Sequence, residues 1–359
     1  MQNNQLQAQK VYFEVTNHCN FRCDFCPMTE SKRKRQHMDY ALFTKGIRDV
    51  VNNNIADTVG FHVLGEPLLY SRIFEAVSYA KSKGLRTEIN TNGSLLTEER
   101  VKALVQAGLD TLCVSVQVLD ANEHASRGSS LPFDVYYRRV MDAVQSIQAS
   151  GCNMNIVLCA MDTSTRRYFD IDKLMRVSGT PSDFEKNLVR FILDIYSWSG
   201  TTMSRGQVEA ALHRLNLNYP QFVQLDEHIK VYAQPLADWG NAFTARKVFP
   251  ARFGACGYAL SNVGVLSTGE VTICCADYDG RTSLGNLRSH SLAELLASEK
   301  AETIREGFRQ NKIVHPYCQR CIGSPNPVKA WFKGLMSIYL FKWLDFEPAR
   351  VKQVPLFQA

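Results

Sequence analysis

Short apolar runs with strand-like alternation trade places with longer stretches whose apolar residues return every three or four positions, and the exchange repeats along the first half of the chain. Residues 11–16, VYFEVT, read as a strand, and 38–53, MDYALFTKGIRDVVNN, as an amphipathic helix. A strand over 58–65, a helix over 71–84 stopped by Gly84, a strand over 85–93 and a helix over 98–108 continue the rhythm. A strand over 111–118, a helix near 134–150 and a fifth strand over 152–161 follow. Alternating strands and helices predict a parallel sheet or barrel, with functional residues at the carboxyl ends of the strands. The loop NHCNFRCDFCPM and the segments GEP, NTNG and SVQ all fall at such ends.

The rhythm weakens between about 162 and 247. Residues 187–200, NLVRFILDIYSWSG, and 228–240, HIKVYAQPLADWG, both read as strands ending in a Trp near a Gly, with a helix over 205–215 between them. The second is expected to close the barrel. From Cys256 onward the pieces are shorter: a hairpin turning at Thr268-Gly269, a helix over 291–308 and a CxxC. The expected organisation is a barrel over 1–247, a smaller domain over 248–327, and an aromatic helix and tail over 328–359.

A chain of 359 residues, 45% hydrophobic, can build one large core and a smaller one. Its net charge of +6 is scattered and gives no footprint for nucleic acid. No apolar run is long enough to span a bilayer, and the polar opening MQNNQLQAQK lacks the core of a signal peptide. Eleven cysteines in that context point to a reducing cytoplasm, where clustered thiols mean metal rather than disulfides.

Cys19, Cys23 and Cys26 are three thiols where a structural zinc wants four ligands and a disulfide framework an even count. Three thiolates in a tight loop suit a four-iron cluster with one iron left open. The alternative is a zinc loop with His18 as fourth ligand. The CxxxCxxC run with Phe25 resembles the signature of the radical S-adenosylmethionine (radical SAM) enzymes. The resemblance implies a partial (β/α)6 barrel, an α/β fold, in which the methionyl amine and carboxylate of SAM chelate the open iron. Cleavage of SAM there yields a 5′-deoxyadenosyl radical. It further implies that Phe25 packs near the adenine and that Gly65 and Glu66 of LGEP hold the SAM amino group, with Leu64 standing where the family has a first Gly. Asn90 and Ser115 fall where the family contacts the ribose, and Arg127, twelve residues after Ser115, where it binds the SAM carboxylate. Gln117 stands where the family more often has Asp.

Cys256, Cys274, Cys318 and Cys321 form a second set. Taken alone it also suits a zinc ribbon. Its spacing around Gly269 resembles the SPASM/twitch domain, which implies one auxiliary [4Fe-4S] cluster sealed by protein ligands and suited to electron transfer. The cofactor set is then two [4Fe-4S] clusters and SAM, with a flavodoxin or ferredoxin as electron donor. Cys275, beside Cys274, is surplus; it reads either as a small buried strand residue or as a hydrogen-atom donor. Cys113, Cys152 and Cys159 read as core, and KRKR at 32–35 as a solvated loop or a basic rim for a phosphorylated substrate. The aromatic, lysine-bearing stretch 328–346 reads as a helix packed across the barrel or as a peripheral membrane contact. The leading expectation is an oxidoreductase acting on a small sugar- or aminocyclitol-like molecule. A peptide-modifying maturase, an epimerase using Cys275 and a non-catalytic metal-binding module are the alternatives.

Overall fold

Burial alternates with period two along the first strands, and one set of side chains faces the helices. On β1 (Lys10–Phe13), Val11 and Phe13 are sealed while Lys10 and Tyr12 face the other way. Four more strands continue the sheet: β2 (Thr58–Gly60), β3 (Arg86–Thr91), β4 (Thr111–Gln117) and β5 (Asn155–Asp162). Each lies parallel to the one before. β6 (Gln221–Gln224) and β7 (Ile229–Pro235) form a hairpin, and β7 joins β5 in parallel as the sixth barrel strand. The computed structural model describes residues 8–163, 180–217, 220–236, 239–244, 247–343 and 353–356.

Three of the helices that follow these strands begin at side-chain caps, Asp39, Thr97 and Asp120. α1 (Tyr40–Asn52) is capped by Asp39, whose carboxylate accepts from Leu42 N at 3.0 Å. Its Leu42, Phe43, Ile47 and Val50 point inward, and Phe43 meets Phe13 edge-on at 5.4 Å. Burying one such ring contributes about 1.5–3 kcal/mol. α2 (Ile73–Ser82), α3 (Glu98–Gln106), the short α4 (Ala121–His124) and α5 (Phe133–Ala149) follow their strands.

The stretch 187–200, expected as a strand, is instead part of helix α6 (Pro181–Trp198). A capping box of Thr180 and Asp183 starts it, and Phe184, Leu188, Phe191, Ile192 and Ile195 recur at helical spacing on its buried face. α7 (Arg205–Leu212) has its own capping box. Residues 164–179, within the region of weak rhythm, lie outside the described residues.

Past α8 (Gly257–Ser261) come β8 (Asn262–Val265) and β9 (Glu270–Thr272), the expected hairpin, and then β10 (Gly285–Asn286). β8 also pairs in parallel with β1, from Lys10↔Asn262 to Phe13↔Val265, so the hairpin extends the barrel sheet. The helix expected over 291–308 is two, α9 (Leu292–Leu296) and α10 (Glu299–Arg309), because Ser298 breaks the run and caps the second. α11 (Pro316–Ile322) carries the CxxC. α12 (Pro327–Ile338) continues as a π-helical turn to Trp343. It packs on residues 253–257 of the C-terminal part, with Ser337 Oγ accepting from Ala255 N at 3.0 Å, rather than across the barrel. Residues 344–346 of the aromatic stretch lie outside the described residues, among which no helix is long and apolar enough to cross a membrane. β11 (Gln353–Pro355) pairs with β6 at the far edge of the sheet.

The KRKR run is not a solvated loop throughout. Arg33 donates Nη1 and Nη2 to the two oxygens of Glu14, at 2.7 and 2.5 Å, and Glu14 is fully buried. Glu14 Oε2 also accepts from Ser267 N at 3.0 Å and Ser267 Oγ at 2.9 Å, which ties β1 to the C-terminal hairpin. Arg35 donates to Asn17 O at 2.9 Å and to Met28 O at 3.2 Å, bracing the cysteine loop.

Candidate active site between two sets of thiols

The loop after β1 is shaped by side chains that replace strand hydrogen bonds. Asn17 accepts from Gln36 N at 2.7 Å and donates to Lys34 O at 2.9 Å, and His18 stacks on His37 at 4.7 Å. Cys23 lies close enough to Cys19 and Cys26 to help raise both of their thiols. Burial is the larger cause, pushing Cys19 up to about 11 and Cys26 up to about 12. Such thiols stay protonated at neutral pH until a cation displaces the protons, the usual coupling of metal binding to proton release. Three soft donors in one loop fit a cluster that keeps one iron for an outside ligand.

Beside them, Glu66 is 1% exposed, and burial raises its carboxyl. It accepts from Thr91 Oγ1 at 2.7 Å, Leu68 N at 3.1 Å and Asn92 N at 2.6 Å. A carboxylate offers about four acceptor directions, so capacity remains for an ammonium group. Glu66 N donates to His18 O at 2.7 Å, so GEP and the cysteine loop are in direct contact. Gly65 permits that approach. Its φ is +84°, and a Cβ there would stand 2.9 Å from His18 O and closer still to Thr16 O. Leu64 packs with Val63, Leu266 and Tyr278.

Asn90 and Ser115 meet across β3 and β4, Ser115 Oγ donating to Asn90 Oδ1 at 2.6 Å. Arg127 is 1% exposed; it donates to Val116 O and lies against the Phe21 ring at 4.9 Å. It also bonds the Cys23 thiol and Tyr136, while its Nε has no partner among the described residues. Gln117 adopts φ +64° at a break in the β4–β5 register, and its Oε1 is buried without a partner among the described residues. Unsatisfied donor and acceptor atoms buried around the thiols fit a polar ligand such as an amino acid moiety. Phe25 is buried with Val118, Met161 and Phe243.

The second set gathers at the C-terminal hairpin. Cys256, Cys274 and Cys318 lie within electrostatic reach of one another, and burial pushes Cys256 up to about 12. Cys321 follows Cys318 by one turn of α11, the spacing that puts two side chains on one face. The Cys274 thiol is raised first by its hydrogen bond with Cys275 and then by burial. Burial and, after it, the nearby Cys275 raise both Tyr12 and Tyr258, which puts Cys275 on the inward side of β1 rather than in the apolar core. Cys159 is buried, the Cys113 thiol is raised by burial, and Cys152 packs partly against the main core. Among the described residues no three His, Cys, Asp or Glu side chains close on a single-ion site, so neither set is drawn in as a mononuclear centre.

Several contributors escape a reading of spacing alone. Asn92 donates to Asn20 Oδ1 at 2.9 Å and to Cys19 Sγ at 3.8 Å, and Tyr136 OH donates to Asn92 O at 2.9 Å. The NTNG segment was the available signal for Asn92. A strap over 239–244 runs between the two sets, with Trp239, Gly240 and Asn241 all at positive φ. Asn241, 2% exposed, donates Nδ2 to Arg320 O at 2.7 Å and Gly323 O at 3.1 Å, clamping the strap to α11. A Cβ on Gly240 would stand 3.0 Å from Cys321 Sγ.

Comparison with known proteins identifies the family of the chain. Residues 13–188 match the radical SAM superfamily, and residues 256–322 match the SPASM iron-sulfur cluster-binding domain. The chain is 35% identical, over 87% of its length and 86% of the relative's, to the tungsten-containing aldehyde ferredoxin oxidoreductase cofactor-modifying protein of Pyrococcus furiosus. It is 34% identical, over 29% of its length and 43% of the relative's, to the S-adenosyl-L-methionine-dependent 2-deoxy-scyllo-inosamine dehydrogenase of Niallia circulans. Among solved structures, Streptococcus suis SuiB bound to S-adenosylmethionine superposes with a TM-score of 0.56 at 14% identity, over 84% of this chain and 68% of that one.

Proposed function

This chain belongs to the radical SAM superfamily, an enzyme with SAM, [4Fe-4S] chemistry and a SPASM domain, and from that premise we propose that it oxidises a small molecule at a carbon bearing a hydroxyl or amine. Cys19, Cys23 and Cys26 hold the first cluster, and Cys256, Cys274, Cys318 and Cys321 the second. When bound, SAM with the first cluster would supply chemistry able to take a hydrogen atom from carbon, and the second cluster would supply an acceptor for one electron. Around them, Glu66 and Gly65 receive the SAM amino group and the Arg127 guanidinium its carboxylate, while Asn90 and Ser115 face the ribose and Phe25 the adenine. The domain limits near 247 and 327 belong to the same reading.

The observation that carries the oxidative direction is the second set of thiols. Four protein donors are present there, which leaves no coordination position for substrate and suits electron transfer. The names of the two relatives, a dehydrogenase of 2-deoxy-scyllo-inosamine and a cofactor-modifying protein, support a non-peptide substrate. Overall, the substrate carbon gives up a hydrogen atom and an electron and its hydroxyl or amine a proton, leaving a ketone or imine. A flavodoxin or ferredoxin is the partner this chemistry asks for.

The test incubates the reconstituted protein anaerobically with SAM, a reductant and candidate cyclitols and sugars, and reads 5′-deoxyadenosine together with product mass. The expected product is lighter by two hydrogens, and Cys275→Ala still forms it. An isomeric product carrying solvent deuterium, lost in Cys275→Ala, would establish epimerisation instead.

A further inference from the structure

A cavity of about 200 Å³ opens where the cysteine loop, the 239–244 strap and α11 meet, lined by Lys32, Trp239, Tyr278, Arg281, Tyr317 and Arg320. Its walls reach both thiol sets. Trp239 packs against the cluster of Phe25 and Met161, Tyr278 against that of Leu64 and Cys26, and Gly240, also on the wall, adjoins Cys321.

Three cations line this cavity. Lys32 is exposed and forms no ion pair among the described residues. Arg320 donates Nη2 to the carbonyls of Asn241 and Thr244, at 3.1 and 3.3 Å, neutral acceptors that leave its charge standing. Arg281 lies over the Tyr317 ring at 5.7 Å and reaches Asp279 only at 3.4 Å, while Asp279 also accepts from Ser31 Oγ at 2.7 Å. Asp277, fully buried, accepts from Thr282 N, Thr282 Oγ1 and Arg281 N and is not on the cavity wall. Glu30 is the one carboxylate on the cavity wall.

We propose that this cavity anchors an anionic oxygen group of the substrate, a phosphate ester or a carboxylate, with Lys32, Arg281 and Arg320 around the oxygens and a carbon skeleton against Trp239, Tyr278 and Tyr317. Guanidinium forks suit either anion, and a cleft of one sign concentrates such ligands. Complete small-molecule sites run to about 300–1,000 Å³, so this volume holds one end of the substrate and leaves the rest to extend between the thiol sets. The inference rests on the reading of the chain as an enzyme of small molecules and adds the substrate's charge.

The experiment is isothermal titration of the anaerobically reconstituted chain with phenyl phosphate, phenylacetate and the neutral benzyl alcohol. At least one anion should bind and benzyl alcohol should not; the tighter anion identifies which group the site prefers. Lys32→Ala combined with Arg281→Gln should weaken that anion about tenfold or more while leaving SAM affinity unchanged. In the unaltered protein, raising salt from about 50 to about 500 mM should weaken it severalfold. Benzyl alcohol binding as well as the anions, affinity unmoved by salt, or a double variant that keeps both SAM and the anion would each overturn the proposal. Because these readouts need no turnover, an unoxidised product would sink the dehydrogenase reading and leave the anion site intact.

Discussion

Replacing Arg33 with Met tests whether the basic run after the cysteine loop is architecture or decoration. Glu14 is fully buried and accepts four hydrogen bonds, two from the Arg33 guanidinium and two from Ser267. The Arg33 side chain is 10% exposed, so solvent screens the pair little. Arg33→Met leaves an ionised carboxylate with only the Ser267 donors in a dry site, and removing one member of such a pair costs about 3–5 kcal/mol. Glu14→Gln in the same chain removes the stranded charge yet keeps a carbonyl for Ser267, so the double variant should lie only about 1–2 kcal/mol below the parent. That rescue of about 2–3 kcal/mol, added to the separately measured cost of Glu14→Gln alone, gives the coupling energy of the double-mutant cycle. Anaerobic urea unfolding followed by far-ultraviolet circular dichroism reads all four corners. A loss below about 1 kcal/mol for Arg33→Met, the range of exposed ion pairs, would refute the buried-pair account.

Three further outcomes are expected. The His62 imidazole is half-buried with its Nδ1 sealed and without a partner among the described residues, and desolvation pulls it down to about 4, so the unfolded chain binds a proton that the fold excludes. Its contribution is intact above the unfolded value near 6.5 and is lost as pH falls toward 4, by about 3 kcal/mol; His62→Phe should flatten that limb, and an unchanged acid limb in urea unfolding contradicts the assignment. Changing Cys19, Cys23 and Cys26 together to Ala should lower iron from about eight to about four per chain with cubane spectra retained; zinc in the remaining site would refute the auxiliary cluster. Arg127→Lys, which keeps the charge and loses the planar fork, should weaken SAM binding by about 1.5–3 kcal/mol, and an unchanged Kd removes Arg127 from the carboxylate site.

What could be read from sequence was local, and what escaped was tertiary. The barrel strands were legible because one face of each is buried and amphipathic helices follow them, some started by a cap such as Asp39 before α1. The run at 187–200 misled because a dense apolar stretch suits either period; the capping box at Thr180 and Asp183 was the signal that settles it for a helix. Arg33 looked solvated because its partner lies nineteen residues back on another element. The same holds for the Asn241 clamp, whose acceptors are some eighty residues away on α11. Proximity of Cys19, Glu66 and Asn92 followed from placing their loops at neighbouring strand ends, whereas the bonds of Asn92 did not.

The pairing of β1 with β8 joins Lys10 to Asn262, a separation of about 250 residues. At a synthesis rate of roughly 5–20 residues per second, β1 emerges some 10–50 s before the strand that completes its edge. During that interval Val11 and Phe13 sit on a strand with one open side, a template for pairing with another nascent chain. The Ser267 donors to Glu14 arrive in the same late segment, so the carboxylate beside the cysteine loop also waits for its full set of partners. Chain made only as far as α7 therefore carries the first three cysteines on an unfinished edge, which makes slow or stalled translation, more than heat, the hazard this topology creates for its producer.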